Sequence, residues 1–362
     1  MNKPVMPTTM LPDAAAPLGV QPRMIQSSGR QIGLHVAFAQ TDPSHASQAP
    51  LVLIHSVNAS ASVIEMRAFF QRQSQRRAVV ALDLPGFGVS DRRPGRYTPG
   101  LMARAVQDTL DWTRRHVGSA PADVVALSLS CEFATLAALA DPGAMRSLTL
   151  ISPTGMERRR IGEAYEGGRT RESRLMSRLL NLPGVGRGLY AALTSRPAMR
   201  WFLARSWGTR HFDEALLEVG RAQAQAAGAH HAPLSFLSGS LFTRGFVSFY
   251  RRLAIPVLVA HGRRGAFTDF AAYGHVAAHS PGQWQRRVFA TGAMPHLEWP
   301  AEFDATYQSW LSSHVLPARA LSGTGAASAP QWLGRSANAA TAHAPGAMVG
   351  VHVATPPLAG SR

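Results

Sequence analysis

One stretch of the chain has residue types in an order that suits nucleophilic chemistry: VVALSLSCEFA, residues 124–134. An apolar strand ends, Ser128 follows, and a helix begins at once. A serine on so sharp a turn sits in strained backbone with its Oγ aimed out of the sheet, and the residues two before and two after it must be small because the backbones close up. Here they are Ala126 and Ser130, whereas centring the pattern on Ser130 puts Glu132 in a small position and fails. The N–H of Leu129 then lies at a helix N-terminus, where negative charge is favoured. The chemistry implied is attack on an acyl carbon, and the competing role of Ser128 is a plain helix cap. Cys131, the chain's one cysteine, falls in the helix beyond and reads as a buried structural thiol, and no internal disulfide is possible.

Such a turn needs a sheet to hold it. LVLIH (51–55), AVVALDL (78–84), DVVAL (123–127), SLTLIS (147–152), IPVLVAH (255–261) and WQRRVF (284–289) read as strands, with helices predicted over about 61–75, 99–117 and 129–140. Alternation of this kind predicts an α/β fold, a mostly parallel sheet with helices on both faces. QIGLHVAFAQ (31–40) reads as an antiparallel strand at the sheet edge. Segment 156–250 breaks the alternation: it is helical, rich in Arg and Leu and punctuated by Gly and Pro, and predicts an inserted helical cap between core segments 23–155 and 251–316. Residues 1–22 and 317–362 are Ala-, Pro-, Thr- and Gly-rich without a period and predict a disordered leader and tail.

With these elements in place, the chain resembles the α/β-hydrolase fold family, serine hydrolase type, over roughly residues 28–315. Ala126 and Ser130 stand where that family usually has Gly. LVLIHSVNAS (51–60) resembles its oxyanion loop, with Ser56 at a usual Gly, which implies that the N–H of Val57 joins that of Leu129 in holding an oxyanion. His55 reads as a turn histidine satisfied by backbone. DLPGFGVSDR (83–92) resembles a structural turn that Asp83 pins. GAMPHLEWPAEF (292–303) resembles the loop of the catalytic histidine, and the resemblance implies that His296 is the general base.

The third triad member is the weak point. The family's acid usually follows the preceding strand as Gly-x-x-Asp, but VLVAHGRRGAFTDF (257–270) has Gly265 there and Ala266 beside it. The first carboxylate is Asp269, taken as the triad acid with a helix cap as its competing role; Glu157 is the fallback. Loss of the acid alone can cost on the order of 10⁴ in turnover. The expected function is two-step acyl transfer on an ester-like or other carbonyl substrate, carboxylesterase-like, through an acyl-enzyme at Ser128. Cap residues such as Leu179, Tyr190, Trp201, Phe202, Phe242 and Phe246 imply a medium-sized, largely apolar small molecule. The alternative is a catalytically silent protein of the same fold that binds a ligand or a partner.

The formal net charge is +16, but the basic residues are scattered arginines, with Lys3 the one lysine. No aromatic-rich basic stretch or zinc-finger spacing accompanies them, so nucleic acid is not the expected partner. No G-x-G-x-x-G joins the first strand to a helix, and no metal-ligand cluster is visible, so neither cofactor nor metal is expected. No run of 18 apolar residues is present, so no membrane span is expected. The single cysteine and the lack of an apolar leader segment suggest the cytoplasm.

Overall fold

Short apolar runs such as LVLI and VVAL have apolar side chains at every position, which suits a strand covered on both faces. In a computed structural model, which describes residues 13–38, 49–164 and 168–315, they form the centre of an eight-stranded sheet of order β1-β2-β4-β3-β5-β6-β7-β8. The strands are β1 (Pro22–Ser27), β2 (Arg30–Ala37), β3 (Leu51–Ile54), β4 (Val79–Leu82), β5 (Ala122–Leu127), β6 (Met145–Ile151), β7 (Val257–Gly262) and β8 (Trp284–Phe289). β3 to β8 are parallel, and the β1–β2 hairpin is antiparallel at one edge. Its turn residues Ser28 and Gly29 have φ of 49° and 72°, the left-handed backbone that a two-residue hairpin turn demands. The expected mostly parallel α/β fold is therefore present; β1 lies partly in the expected leader and is an addition to the expected strands.

Alternate strand residues supply two core layers. Val52, Ile54, Val80 and Leu82 face a layer completed by α2 (Pro99–His116) and α3 (Ser130–Ala140). Leu51, Leu53, Val79 and Ala81 face the opposite layer, completed by α1 (Arg67–Gln73) and, from the C-terminal end, α12 (Pro300–Trp310). α2 shows how the sequence sets its own ends: Thr98 Oγ1 accepts from the Leu101 N–H, Pro99 opens the helix, and Arg114, Arg115 and His116 lie at the negative end of its dipole. The predicted helix over 61–75 divides into a 3₁₀ turn, Val63–Met66, and α1.

Between β6 and β7 the chain adds α4 (Arg174–Leu180), α5 (Val185–Leu193), α6 (Arg196–Trp207), α7 (Glu214–Ala224), α8 (His231–Leu237) and α9 (Val247–Tyr250). The remaining helices are α10 (Tyr273–Ala277), α11 (Pro295–Glu298), a 3₁₀ turn at Arg158–Arg160 and a π-helical turn at Leu311–Val315. Residues 13–21, inside the expected leader, pack against the protein: Leu18 is buried, and the Ala14 carbonyl accepts from Gln223 Nε2 at 3.0 Å. Residues 1–12 of that leader and the expected tail, 317–362, lie outside the described residues.

Candidate active site

At the end of β5 the chain turns from strand to helix with Ser128 at φ 58°. A non-glycine residue in left-handed backbone is uncommon and persists where its surroundings over-determine it. Here the Ser128 N–H donates to the Ile151 carbonyl (2.8 Å), and its carbonyl accepts from the Cys131 N–H (3.1 Å). Ser128 lines a cavity of about 690 Å³ between the C-terminal ends of the strands and helices α6, α7 and α8. Ser152, φ 45°, lines it too. The small elbow positions are buried, and the Ser130 hydroxyl donates to the His55 carbonyl, tying the elbow helix to the loop after β3. Cys131 donates its thiol to the Ala126 carbonyl (3.2 Å), and burial pushes that thiol well above its ordinary pKa.

The loop after β3 is held by Glu65. Its carboxylate accepts from the Ser56 N–H (2.7 Å), the Ser56 hydroxyl (3.0 Å) and Asn58 Nδ2 (2.8 Å). The N–H groups of Val57 and Leu129, and the Ser128 hydroxyl, have no hydrogen-bond partner among the described residues. His55 accepts from the Leu84 N–H at Nε2 (3.0 Å), so Nδ1 carries the proton and donates to the Ser56 carbonyl (2.6 Å). Asp83 accepts from the N–H groups of Val63 (3.0 Å) and Val89 (3.1 Å) and pairs with His35 (3.0 Å). Burial opposes its charge, but the His35 bond and the two histidines outweigh that and hold its carboxyl below the usual range.

The structure does not bring His296 to Ser128. His296 lies in α11, fully buried, and is not among the residues that line the cavity. Its Nε2 bonds the Glu65 carbonyl at 2.8 Å. A carbonyl only accepts, so Nε2 carries the proton, and Nδ1 is buried without a partner. Burial drives its pKa down to about 4, with the Glu65 bond opposing the fall. The residues of this loop that do line the cavity are Ala293 and Met294. The loop runs through Gly292, Ala293 and Met294, and Pro295 then opens α11, turning His296 toward Phe303 in the core (ring centroids 5.8 Å apart). Pro at a first helical position was the sequence signal that separated loop from helix.

Nor does Asp269 reach His296. It lines the cavity, but its carboxylate accepts from the N–H groups of Arg158 (3.0 Å) and Ala271 (3.2 Å); it is not the cap of the next helix, α10, whose N-cap is Ala272. Glu157 also lines the cavity and pairs with Arg160 (3.6 Å). No histidine lines the cavity among the described residues.

The end of α6 packs on the loops that the sequence assigns to an acid and a base. α6 ends at Gly208, and its last carbonyls, which a helix cannot satisfy internally, are taken by those loops. The Arg205 carbonyl accepts from the Ala266 N–H (3.2 Å), the Ser206 carbonyl from the Ala293 N–H (2.9 Å), and the Trp207 carbonyl from Arg264 Nε (3.3 Å). The approach leaves no room for side chains: a Cβ on Gly265 would lie 2.7 Å from the Arg205 oxygen, and one on Gly292 2.4 Å from the Ser206 oxygen. Gly265 also holds φ 85°.

Beside the elbow, Glu132 joins the loop after β6 to the segment before α9, accepting from Thr154 Oγ1 (2.7 Å) and the Thr243 N–H (3.2 Å). Burial raises its pKa to about 7, against the pull of those bonds and of Arg171. A carboxyl raised in this way favours the fold while protonated. Its contribution is full below about 4.5 and is lost as pH rises through about 7, a change of about 3 kcal/mol. Glu132→Gln is therefore expected to raise the melting temperature at about pH 9 and leave it nearly unchanged at about pH 5. Equal shifts at both pH values would refute the assignment.

A profile described as the alpha/beta hydrolase fold matches residues 49–300. Among solved structures the chain is similar to a putative lipase from Acinetobacter baumannii AYE (16% identity, covering 88% of this chain and 99% of that one, TM-score 0.62). It is also similar to a serine hydrolase involved in carbazole degradation (16%, 80% and 98%, TM-score 0.59) and to the enol-lactonase from Burkholderia xenovorans LB400 (13%, 80% and 100%, TM-score 0.60). No curated protein matches. At these identities the structural likeness concerns the fold, and the match of the profile over most of the chain carries the assignment: the protein belongs to the α/β hydrolase fold family.

Proposed function

We propose that this α/β hydrolase fold protein binds a medium-sized, largely apolar small molecule in the cavity under its cap, and turns it over slowly or not at all. One observation carries the reading: among the described residues, the cavity that holds Ser128 has no histidine in its lining, while His296 is committed to the Glu65 carbonyl. Without a base within reach, a serine hydroxyl is a weak nucleophile at neutral pH. The volume of about 690 Å³ suits a drug-sized ligand, with Met199, Phe202, Leu203, Phe236, Phe242 and Phe270 as apolar wall. Ser56, Asn58, Ser128 and Ser152 offer polar contacts at the sheet end for a carbonyl or carboxyl group.

A second reading, acyl-enzyme hydrolysis at Ser128, is favoured by the strained elbow and by the unpartnered N–H groups of Val57 and Leu129, a ready oxyanion hole. One titration separates the two. With p-nitrophenyl octanoate, the binding reading expects saturable quenching of Trp201, which lines the cavity, with p-nitrophenol release no faster than in Ser128→Ala. Release that Ser128→Ala abolishes would establish the hydrolase instead, and absence of both signals would reject an apolar acyl ligand.

A further inference from the structure

The α4–α5 hairpin leaves its apolar side chains uncovered. Of residues 174–189, only Leu180 and Gly186 are buried. Leu175 is 71% exposed, and Met176, Leu179, Leu182, Val185 and Leu189 are exposed with it. Leu175 and Leu179 on α4, and Val185 and Leu189 on α5, each follow i, i+4 spacing, and Leu182 sits in the turn between the two helices, so the exposure is continuous along the hairpin. Soluble surfaces scatter such residues singly, and a contiguous set marks an interaction site.

The charge of this face is one-signed. Between Glu172 and Asp213 the sequence has seven arginines and no carboxylate. Arg174, Arg178 and Arg187, on the hairpin itself, are exposed and make no ion pair among the described residues. The face also continues to the cavity mouth. α5 packs against α6 and α8, which carry Trp201 (64% exposed) and Leu237, and both of these residues also line the cavity.

We propose that the α4–α5 hairpin is a docking surface for an anionic lipid bilayer. Apolar side chains on such a helix enter the boundary of headgroup and acyl chain, while flanking arginines keep their charge among the phosphates. A second copy of the chain fits less well: a two-fold interface sets the same patch against itself and brings like arginine charges together. The docking needs no chemistry at Ser128 and stands apart from the ligand reading.

The test is flotation of the full chain with vesicles of phosphatidylcholine containing about one-third phosphatidylglycerol, against phosphatidylcholine alone. Wild type is expected to float with the anionic vesicles only. Leu175→Ser/Leu179→Ser/Val185→Ser and, separately, Arg174→Gln/Arg178→Gln/Arg187→Gln are each expected to lower the bound fraction about tenfold. Should one set misfold, the other still decides, and brominated acyl chains should quench Trp201 in wild type but give no matching loss in Trp201→Phe. Failure of wild type to float overturns the proposal, as does flotation that neither set weakens, which would assign it to net charge alone. A dimer in light scattering that the serine variants dissolve would also overturn it, in favour of self-association.

Discussion

Placing histidine at position 293 is expected to raise fluorophosphonate labelling of Ser128 by about 10²–10⁴-fold, the usual worth of a positioned general base. The rest of the machinery is in place: an elbow serine, two unpartnered N–H groups and a cavity that Ala293 shares with Ser128. Ala293 is held at both main-chain ends, its N–H on the Ser206 carbonyl (2.9 Å) and its carbonyl on the Ser152 hydroxyl (2.7 Å), so the direction of a side chain there is set. Ala293→Gln supplies comparable bulk without a base and is expected to label like wild type. The gain should fall toward the lower end of the range, because the carboxylates that line the cavity, Glu65, Glu157 and Asp269, are already held by other partners rather than placed to orient the new imidazole. Unchanged labelling of a folded Ala293→His protein would show that position 293 does not present its side chain to Ser128. Adding Gly265→Asp to supply the acid is not expected to help, since its Cβ would press on the Arg205 carbonyl.

The largest loss of stability is expected at the other end of β5. Asp123 is fully buried and accepts from Arg77 Nη1 (2.6 Å), Arg146 Nε (2.9 Å) and Ser147 Oγ (2.6 Å). Arg77 is itself buried and also donates to Gln73 Oε1 (3.0 Å) and the Tyr307 hydroxyl (2.8 Å). One carboxylate thus joins β5, β6, the turn after α1 and α12. Removing it leaves a guanidinium in the interior without its counter-charge, which costs far more than the intact pair contributes. Asp123→Ala is expected to lower unfolding free energy by about 3–5 kcal/mol, read as a lower urea midpoint with an unchanged slope. Asp123→Leu/Arg77→Met, which removes both charges, should recover a large part of that loss. A double variant no better than Asp123→Ala would show that shape, not charge, makes the site.

These expectations rest on features that differed in how plainly the sequence displayed them. The strands and the elbow were legible because each follows from a local rule: an apolar run bounded by turns, and a serine between strand and helix with small neighbours. The roles of His55 and Asp83 were legible for the same reason, since their partners are backbone groups of nearby loops. His296 was not. Its position depends on whether Pro295 ends the loop before it or after it, and a shift of three residues moves a side chain from the cavity to the core. The α6 docking lay further out of reach. It joins residues near 206 to loops near 265 and 292 through main-chain atoms, which side-chain patterns do not encode. The glycines at 265 and 292 were the trace it left, and they read in the sequence only as a missing acid and a loop.

That backbone-to-backbone seat of α6 has a consequence for building a triad into this chain. A catalytic residue can be set on an open loop by one substitution. Here a helix end occupies the space beside position 265, so a side chain placed there unseats α6 before it can help a base, and a histidine at 293 alone gives a partial gain. Neither step, nor the two combined, completes a triad unless the end of α6 is reshaped as well. The arrangement acts as a ratchet in sequence space, one that resists single steps toward a triad.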